Sequence, residues 1–490
     1  MSANDAIVSI VGGRIGKKTK IVCTLGPATD YDNILKGMML EGMDVARLNF
    51  SHGTHEEHLK RVLSVKRLRS ELGLPIALLL DTKGPEIRIG TFSAGKVTLE
   101  ENRAFTFTTE DIEGTQDTVS ISYKDLPAKV RKGDRILGDD GMLEFEVEII
   151  EGPRIECRVI NAGEFSNRKS LNVPGVILDM PYVSDKDKAD IEFAATQGFD
   201  FIAASFTRDA KDILDIRALL HKLGDDRIKI IAKIENTQGI DNIDDIIAVA
   251  DGIMIARGDM GVEIDLVELP RLQKMLIKKT YMAGKHSITA TQMLESMVKN
   301  PRPTRAETTD VANAVYDGTS AVMLSGETSV GKHPVESVRM MRLIAERTEK
   351  DINYKQRFQQ SEPKKDKSIS DAIAHAACTT AHDLDAAAIV AVTSSGSTAR
   401  QLSKYRPACP IIAVTDEDVT LRQLSLAWGV IPVTGERKKT TDEMFKQAER
   451  KSLETKLVEK GQTIVLTGGV RVGIPGSTDT IRVKRTSLED

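Results

Sequence analysis

Short apolar runs and stretches of helical periodicity take turns along most of the chain. Residues 19–25 (TKIVCTL) form an apolar run closed by Gly26-Pro27, Ile34 to Glu41 repeats at helical spacing, and Val45 to Phe50 is apolar again. Glu56 to Leu72 is helical in period, and Pro75 to Leu80 is a third run. Runs this short and this apolar suit strands covered on both faces. Their alternation with helices predicts a parallel sheet, open or closed into a barrel.

The rhythm breaks between Thr91 and about Arg168. There FTFTT, VSIS, LEFEVEII and RIECRVI are separated by turn signals such as Lys132-Gly133-Asp134 and Asp140-Gly141, with no long helical pattern. This predicts an inserted all-β domain over 91–168, folded as a small barrel. After Pro174 the alternation returns with FIAASF (201–206), Ile228 to Ile234, Ile253 to Ala256, HSITATQML (286–294) and SAVMLSGET (320–328). Strands starting near 19, 45, 75, 201, 228, 253, 286 and 320 make eight. The expectation is an α/β fold, a (β/α)₈ TIM barrel over 1–90 and 169–360 interrupted after its third strand, with its active face at the strand C-termini. A polar, Pro-containing hinge, SEPKKDKS (361–368), precedes AAAIVAVTSSG, PIIAVTD, VIPVT and TIVLTGG, which predict a C-terminal α/β domain over 361–490.

Composition narrows the function classes. A length of 490 residues suits about three domains, and 40% hydrophobic with 29% charged residues requires no large disordered region. A net charge of −4 gives no basic field for nucleic acid or anionic lipid. Cys23, Cys157, Cys378 and Cys409 lie far apart without C-x-x-C spacing, so neither a zinc site nor a disulfide framework is expected, and a reducing cytoplasm fits. Ala6 to Val11 is shorter than a signal-peptide core, and the longest apolar run, near Ala386 to Val392, is too short to cross a bilayer.

The stretch 228–265 (IKIIAKIENTQGIDNIDDIIAVADGIMIARGDMGVEID) reads as a β–α–β unit. A right-handed crossover brings Lys233 and Glu235, at the end of one strand, to the same face as Gly258 and Asp259 after the next. A salt bridge at the strand ends is the plain alternative. Reading every strand end in this way collects Arg47, Asn49, Ser51, Asp81, Thr82, Lys83, Arg88, Lys233, Glu235, Asp259, Thr291 and Glu327. Cations on this face suit a phosphorylated anion, and paired carboxylates suit a divalent metal that fills its shell with water and substrate oxygens. The combination implies metal-assisted phosphoryl transfer. Asn49, Ser51, Asp81 and Thr82 offer hard oxygen ligands that fit a monovalent cation; Asn49 and Ser51 serve equally as caps of the following helix, and Asp81 as a turn residue. His52, His55 and His58 start that helix without a metal-completing carboxylate and read as solvated. Gly13 to Thr19 lacks P-loop spacing and a preceding strand.

In order along the chain, VARLNFSHG (45–53), DTKGPEIR (81–88), IIAKIENTQGI (230–240), ARGDMGVEI (256–264), TATQMLESM (289–297), RPTRAETTDVANAV (302–315) and LSGET (324–328) resemble the blocks of the pyruvate kinase family. The resemblance covers nearly the whole chain. It implies phosphoryl transfer from phosphoenolpyruvate to ADP, giving ATP and enolpyruvate, which then takes up a proton. It implies Mg²⁺ (or Mn²⁺) on Glu235 and Asp259, Lys233 and Arg47 offsetting charge on the phosphoryl group, and a substrate carboxylate cradled by the Gly258 and Asp259 amides with Thr291. Thr291 is also the residue implied to relay the proton. Arg88 and Lys169 match nucleotide-contacting positions, and Asn49, Ser51, Asp81 and Thr82 match K⁺ ligands; Glu86 goes with K⁺ dependence in this family. Thr393, Ser394, Ser395, Gly396, Ser397 and Thr398 resemble a loop that binds a phosphorylated allosteric effector. A homotetramer, a lid role for the insert and a cytoplasmic, glycolytic setting are implied as well.

The chain departs from the family pattern at Lys285-His286-Ser287, where Gly-Lys-Pro is usual, and at Ser170, where a Gly usually follows the Lys. After VKRTSLED no further phosphohistidine-type domain is expected. Two rival functions follow from the same residues: a barrel aldolase with Lys233 as Schiff base, and an effector-sensing binding protein without catalysis.

Overall fold

The computed structural model describes residues 16–360, 368–469 and 478–487. The apolar patch Ala6 to Val11, the first three residues of the Gly13 to Thr19 stretch and all but the last residue of the 361–368 hinge lie outside them.

Eight parallel strands close into a barrel: β1 (Lys20–Thr24), β2 (Val45–Asn49), β3 (Ala77–Asp81), β4 (Phe201–Ala204), β5 (Lys229–Ile234), β6 (Gly252–Ala256), β7 (His286–Ala290) and β8 (Ala321–Leu324). β1 pairs with β2 and, through Lys20 opposite Ala321, with β8. The expected (β/α)₈ barrel is therefore present. Alternate side chains split between two apolar layers, as the period of two in a strand demands. Val22, Val45, Leu79, Phe201, Ile231, Met254 and Met323 fill the interior, while Ile21, Cys23, Leu48 and Leu80 pack outward with the helices. One member of the inner layer, Leu426, comes from far downstream.

Two strands end earlier than the apolar pattern suggests. FIAASF is strand only to Ala204, and HSITATQML only to Ala290. Beyond them Phe206 (φ 53°), Thr291 (φ 68°) and Gln292 (φ 54°) adopt left-handed backbone, which a strand cannot continue through.

Between β3 and β4 the chain leaves the barrel for an all-β body whose core includes Phe105, Phe107, Phe145 and Phe165. It is not a closed barrel: a seven-stranded sheet is accompanied by a two-stranded ribbon of Lys96–Leu99 with Gly163–Ser166. Strands Ile87–Arg88 and Ser170–Asn172, the outgoing and returning segments, pair antiparallel at its root. The exit turn needs Gly84 (φ 70°), since a Cβ there would stand 2.7 Å from the Ser205 carbonyl oxygen.

The C-terminal body is a five-stranded sheet in the order β11–β10–β9–β12–β13, built from β9 (Ala388–Val392), β10 (Ile411–Thr415), β11 (Val430–Thr434), β12 (Thr463–Gly468) and β13 (Thr480–Arg485). All neighbours are parallel except β12 and β13. It docks under the N-terminal ends of the barrel strands, where Arg422 Nε meets Asp200 Oδ1 at 2.8 Å and Lys20 Nζ donates to the Val430 carbonyl at 2.6 Å. No helix among the described residues is long and apolar enough to cross a membrane.

Candidate active site

The C-terminal ends of β2, β3, β5 and β6 bring the predicted charges into one buried network. Asp81 is its hub: Oδ2 accepts from Arg47 Nε at 2.6 Å, and Oδ1 faces Lys233 Nζ at 3.1 Å and accepts from Ser205 Oγ at 3.0 Å. Arg47 Nη1 also donates to Thr24 Oγ1 at 2.7 Å. Lys233 Nζ donates to Ser205 Oγ at 2.7 Å and lies 3.0 Å from Glu235 Oε1. Burial alone would discharge Lys233, but the Asp81 and Glu235 carboxylates outweigh it and hold its pKa above the ordinary lysine value. Burial would likewise raise Asp81; Arg47 and Lys233 hold it below the usual range.

Glu235 differs from Asp81. Its Oε2 accepts from the Phe206 amide at 2.6 Å, but Oε1, although close to Lys233, has no aligned hydrogen bond and is buried. Burial pushes this carboxyl up, Lys233 opposes the shift, and the Asp259 charge adds to it. An oxygen in that state gains from a further cation.

Asp259 and Gly258 sit in the first turn of the helix Arg257–Glu263, which starts directly after β6. The Gly258 amide donates to Thr291 Oγ1 at 2.8 Å, and that hydroxyl donates to the Ala290 carbonyl at 2.6 Å. Arg257, which sequence reasoning passed over, fixes this corner: Nη1 pairs with Asp310 at 2.7 Å and Nη2 donates to the Thr291 carbonyl at 2.8 Å. Ser205 was missed for another reason. Reading the fourth strand through to Phe206 hid the fact that Ser205 lies just past a strand C-terminus, the rule that found the others.

Asn49 and Asp81 are register partners across β2 and β3. Asn49 Oδ1 accepts from the Ser51 amide at 3.0 Å, and Thr82 Oγ1 accepts from the Ser205 amide at 3.1 Å. Neither Asn49 nor Ser51 caps the following helix, His55–Leu72; Thr54 does, in a capping box with Glu57. Solvation of the histidine cluster holds only for His52. His58 is buried and stacks on Phe50 at 4.0 Å, and His55 Nε2 lies 2.7 Å from Asp190, because this turn folds back on the barrel rim.

Four expected residues are occupied elsewhere. Glu327 is buried and accepts from the Leu294 and Ser325 amides at 2.9 and 2.7 Å, bracing the loops after β7 and β8. Arg88 bonds Glu86 at 2.7 Å and the Arg168 carbonyl at 2.7 Å, and Lys169 pairs with Asp139 at 2.6 Å, so both stand at the root of the inserted sheet. Lys83 contributes its amide to Asp187 at 3.2 Å. A cleft of ≈ 260 Å³ separates the barrel mouth from the insert, lined among others by Glu86, Asp140, Phe206, Asn236 and Asp259.

The loop 393–398 lies on the far side of the molecule. It joins β9 to the helix Ser397–Lys404, whose N-cap is Gly396 (φ 78°) with no side-chain cap, in place of the ordinary Ser/Thr cap that a plain strand-to-helix turn would use. Thr398 Oγ1 is 2.6 Å from Thr478 Oγ1, and the Ser394 carbonyl accepts from Thr420 at 2.7 Å.

The family model for the pyruvate kinase barrel domain matches residues 16–338, and that for the pyruvate kinase alpha/beta domain matches 371–484. A pyruvate kinase of Clostridium acetobutylicum is 46% identical over 469 residues, covering 96% of this chain and 99% of the relative. One from Geobacillus stearothermophilus is 48% identical, covering 95% and 80%. The crystal structure of a pyruvate kinase from Cryptosporidium parvum superposes with a TM-score of 0.92 at 37% identity, over 99% of this chain and 98% of that one.

Proposed function

The chain belongs to the pyruvate kinase family, and from that premise we propose which of its residues carry the reaction. It is a phosphotransferase that moves the phosphoryl group of phosphoenolpyruvate to ADP, giving ATP and pyruvate, and the family is metal-dependent.

The observation that carries the assignment is Lys233, held charged between Asp81 and Glu235 at the barrel mouth. Its ammonium and the Arg47 guanidinium offset the charge on the phosphoryl oxygens as the group leaves the enol oxygen for ADP. Both are fixed before substrate arrives, so no solvent has to reorganise during transfer. The same raised pKa weighs against Schiff-base chemistry, which needs a neutral amine. The binding-protein reading has no use for so costly a buried network.

Glu235 and Asp259 suit Mg²⁺ or Mn²⁺: both are hard oxygen donors, and Glu235 Oε1 is buried with no hydrogen-bond partner among the described residues. When bound, the metal supplies a Lewis acid for the phosphoryl and carboxylate oxygens of the substrate. The Gly258 and Asp259 amides with Thr291 orient the substrate carboxylate, and Thr291 relays the final proton to the enol carbon. Asn49, Ser51, Asp81 and Thr82 take K⁺; the register pairing of Asn49 with Asp81 supports this set.

Arg88 and Lys169 reach the nucleotide from the root of the insert, which acts as a lid closing the cleft against water. The domains assigned are the barrel (1–90 and 169–360), the lid (91–168) and a regulatory C-terminal body (361–490). Residues 393–398 receive a phosphorylated effector; the uncapped helix behind Gly396 supports that role. The working form is a cytoplasmic homotetramer.

The test is a lactate-dehydrogenase-coupled assay with phosphoenolpyruvate, ADP, Mg²⁺ and K⁺. Wild-type turnover is expected to vanish on metal chelation, and Glu235→Ala and Asp259→Ala are expected to lose it. Full-rate pyruvate formation by either variant overturns the metal assignment.

A further inference from the structure

The seam between the barrel floor and the C-terminal body holds more positive charge than the acids around it balance. Lys285 and His286 stand at the start of β7, and the helix Ser397–Lys404 presents Arg400 and Lys404, followed by Arg406. With Tyr281 these five basic side chains line a single cavity of ≈ 10 Å³. Lys404 is neutralised by Asp371 at 2.9 Å.

Lys285, Arg400 and Arg406 form no ion pair among the described residues. Among the described residues, Lys285 Nζ donates only to main-chain carbonyls, those of Ile247, Ala248 and Ala250. Arg400 Nη1 donates to the Ser395 carbonyl at 3.1 Å. Arg406 Nη2 donates to the Gly318 carbonyl at 3.0 Å and to Ser320 Oγ at 3.2 Å, and its guanidinium packs 4.6 Å from the Trp428 ring centroid. Arg406 is only 5% exposed, and its Nε has no hydrogen-bond partner among the described residues.

Of the carboxylates whose charge reaches the cavity, Asp251 pairs with Arg217 at 3.0 Å and Lys229 at 3.5 Å. Glu349, bound by the Lys18 and Thr19 amides at 2.7 and 2.6 Å, keeps its charge but acts on Arg406 less than the opposing Arg357 does. Burial is the largest cause lowering the pKa of Lys285, His286, Arg400 and Arg406 alike. Carbonyls and rings satisfy donors without cancelling net charge, and buried charge is costly until a counter-charge joins it.

We propose that this cavity binds one small monovalent inorganic anion of halide size, with Arg400 and Arg406 as donors and the Lys285 ammonium, its protons held by three carbonyls, adding charge, as a clamp between barrel and C-terminal body. The volume is about that of one water-sized probe, which favours a single-atom occupant over a phosphoryl group. The anion accepts from Arg406 Nε. It sits between β7, which leads to Thr291, and the helix that follows the 393–398 loop.

The test uses the full-length protein in two measurements. Crystals soaked in bromide are expected to show an anomalous peak between Arg406, Arg400 and Lys285. Thermal unfolding in chloride, against gluconate at matched ionic strength, is expected to rise saturably by about 2–4 °C, the size produced by modest ligand linkage. Lys285→Met, which removes one cation and touches no part of the active site, should lose both signals; Arg406→Gln should lose them too if it folds. Bromide found only on the surface, a water in the cavity of bromide-soaked crystals, or an undiminished saturable response in Lys285→Met overturns the proposal.

Discussion

Lys233 Nζ stands 3.1 Å from Asp81 Oδ1, joining the ends of β5 and β3 across the strand between them. The cation is thus held in place by the scaffold, with its charge secured by two carboxylates. Lys233→Met should lower kcat by about 10²–10³-fold, the usual cost of deleting one preorganised charge in a dry site. Lys233→Arg should not restore the rate, because a planar fork cannot occupy the position of a point charge between Asp81, Glu235 and Ser205. Coupled-assay kinetics on both variants check this; a kcat close to the parent's in either contradicts it.

Glu86 lines the cleft and pairs with Arg88 at 2.7 Å, and a carboxylate at this position supplies no positive charge of its own. Turnover in buffer free of Na⁺ and K⁺ should fall by about tenfold or more, a loss of at least about 1.4 kcal/mol of transition-state stabilisation. Glu86→Lys should recover part of it without K⁺. Equal rates with and without K⁺ in the wild type remove the monovalent-cation assignment.

His286 is buried, and its pKa is lowered to about 3, first by loss of water and then by Arg400. In the unfolded chain it titrates near about 6.5. Between those values the unfolded chain binds the proton and the folded one does not, so stability rises with pH across the window and is lost as pH falls through it. His286→Gln should flatten this acid limb. Tm profiles of the two proteins from about pH 7 to about pH 4 should diverge as pH falls; parallel profiles would contradict the assignment.

Lys404 and Asp371 form a buried pair, and Tyr405 also donates to Asp371, at 2.8 Å. Asp371→Asn leaves the lysine uncompensated and should destabilise the C-terminal body by about 3–5 kcal/mol. The double variant Asp371→Leu with Lys404→Met should cost less than Asp371→Asn alone, since neither charge is then orphaned. Denaturant melts of the three proteins read the order directly.

The barrel was legible because its strands are covered on both faces: eight apolar runs of the right length could hardly do anything else. Lys233, Glu235 and Asp259 were legible by the same logic, since a charge at the end of such a run has to point to the strand C-termini. Ser205, Arg257 and the bracing role of Glu327 were not, because each depends on left-handed or tightly turned backbone after a strand, which apolar periodicity does not encode. His58 looked solvated by spacing alone, yet Phe50 lies against it through a fold-back that only the rim of the barrel creates. β13 escaped the pattern as well, since an edge strand reading TIRVKR carries little alternation. The cations at the seam are scattered from Lys285 to Arg406, and no local motif unites them.

Leu426 lies in the innermost layer of a barrel whose eight strands end at Leu324. The floor of the catalytic unit is therefore closed by a plug delivered about a hundred residues later, with Ser425 bonded to the Pro75 carbonyl beside it. The barrel's inner layer is therefore complete only when that segment of the C-terminal body is in place. A truncation after the last barrel helix leaves an uncorked cylinder, its inner layer of Val22, Leu79 and Met254 deprived of Leu426.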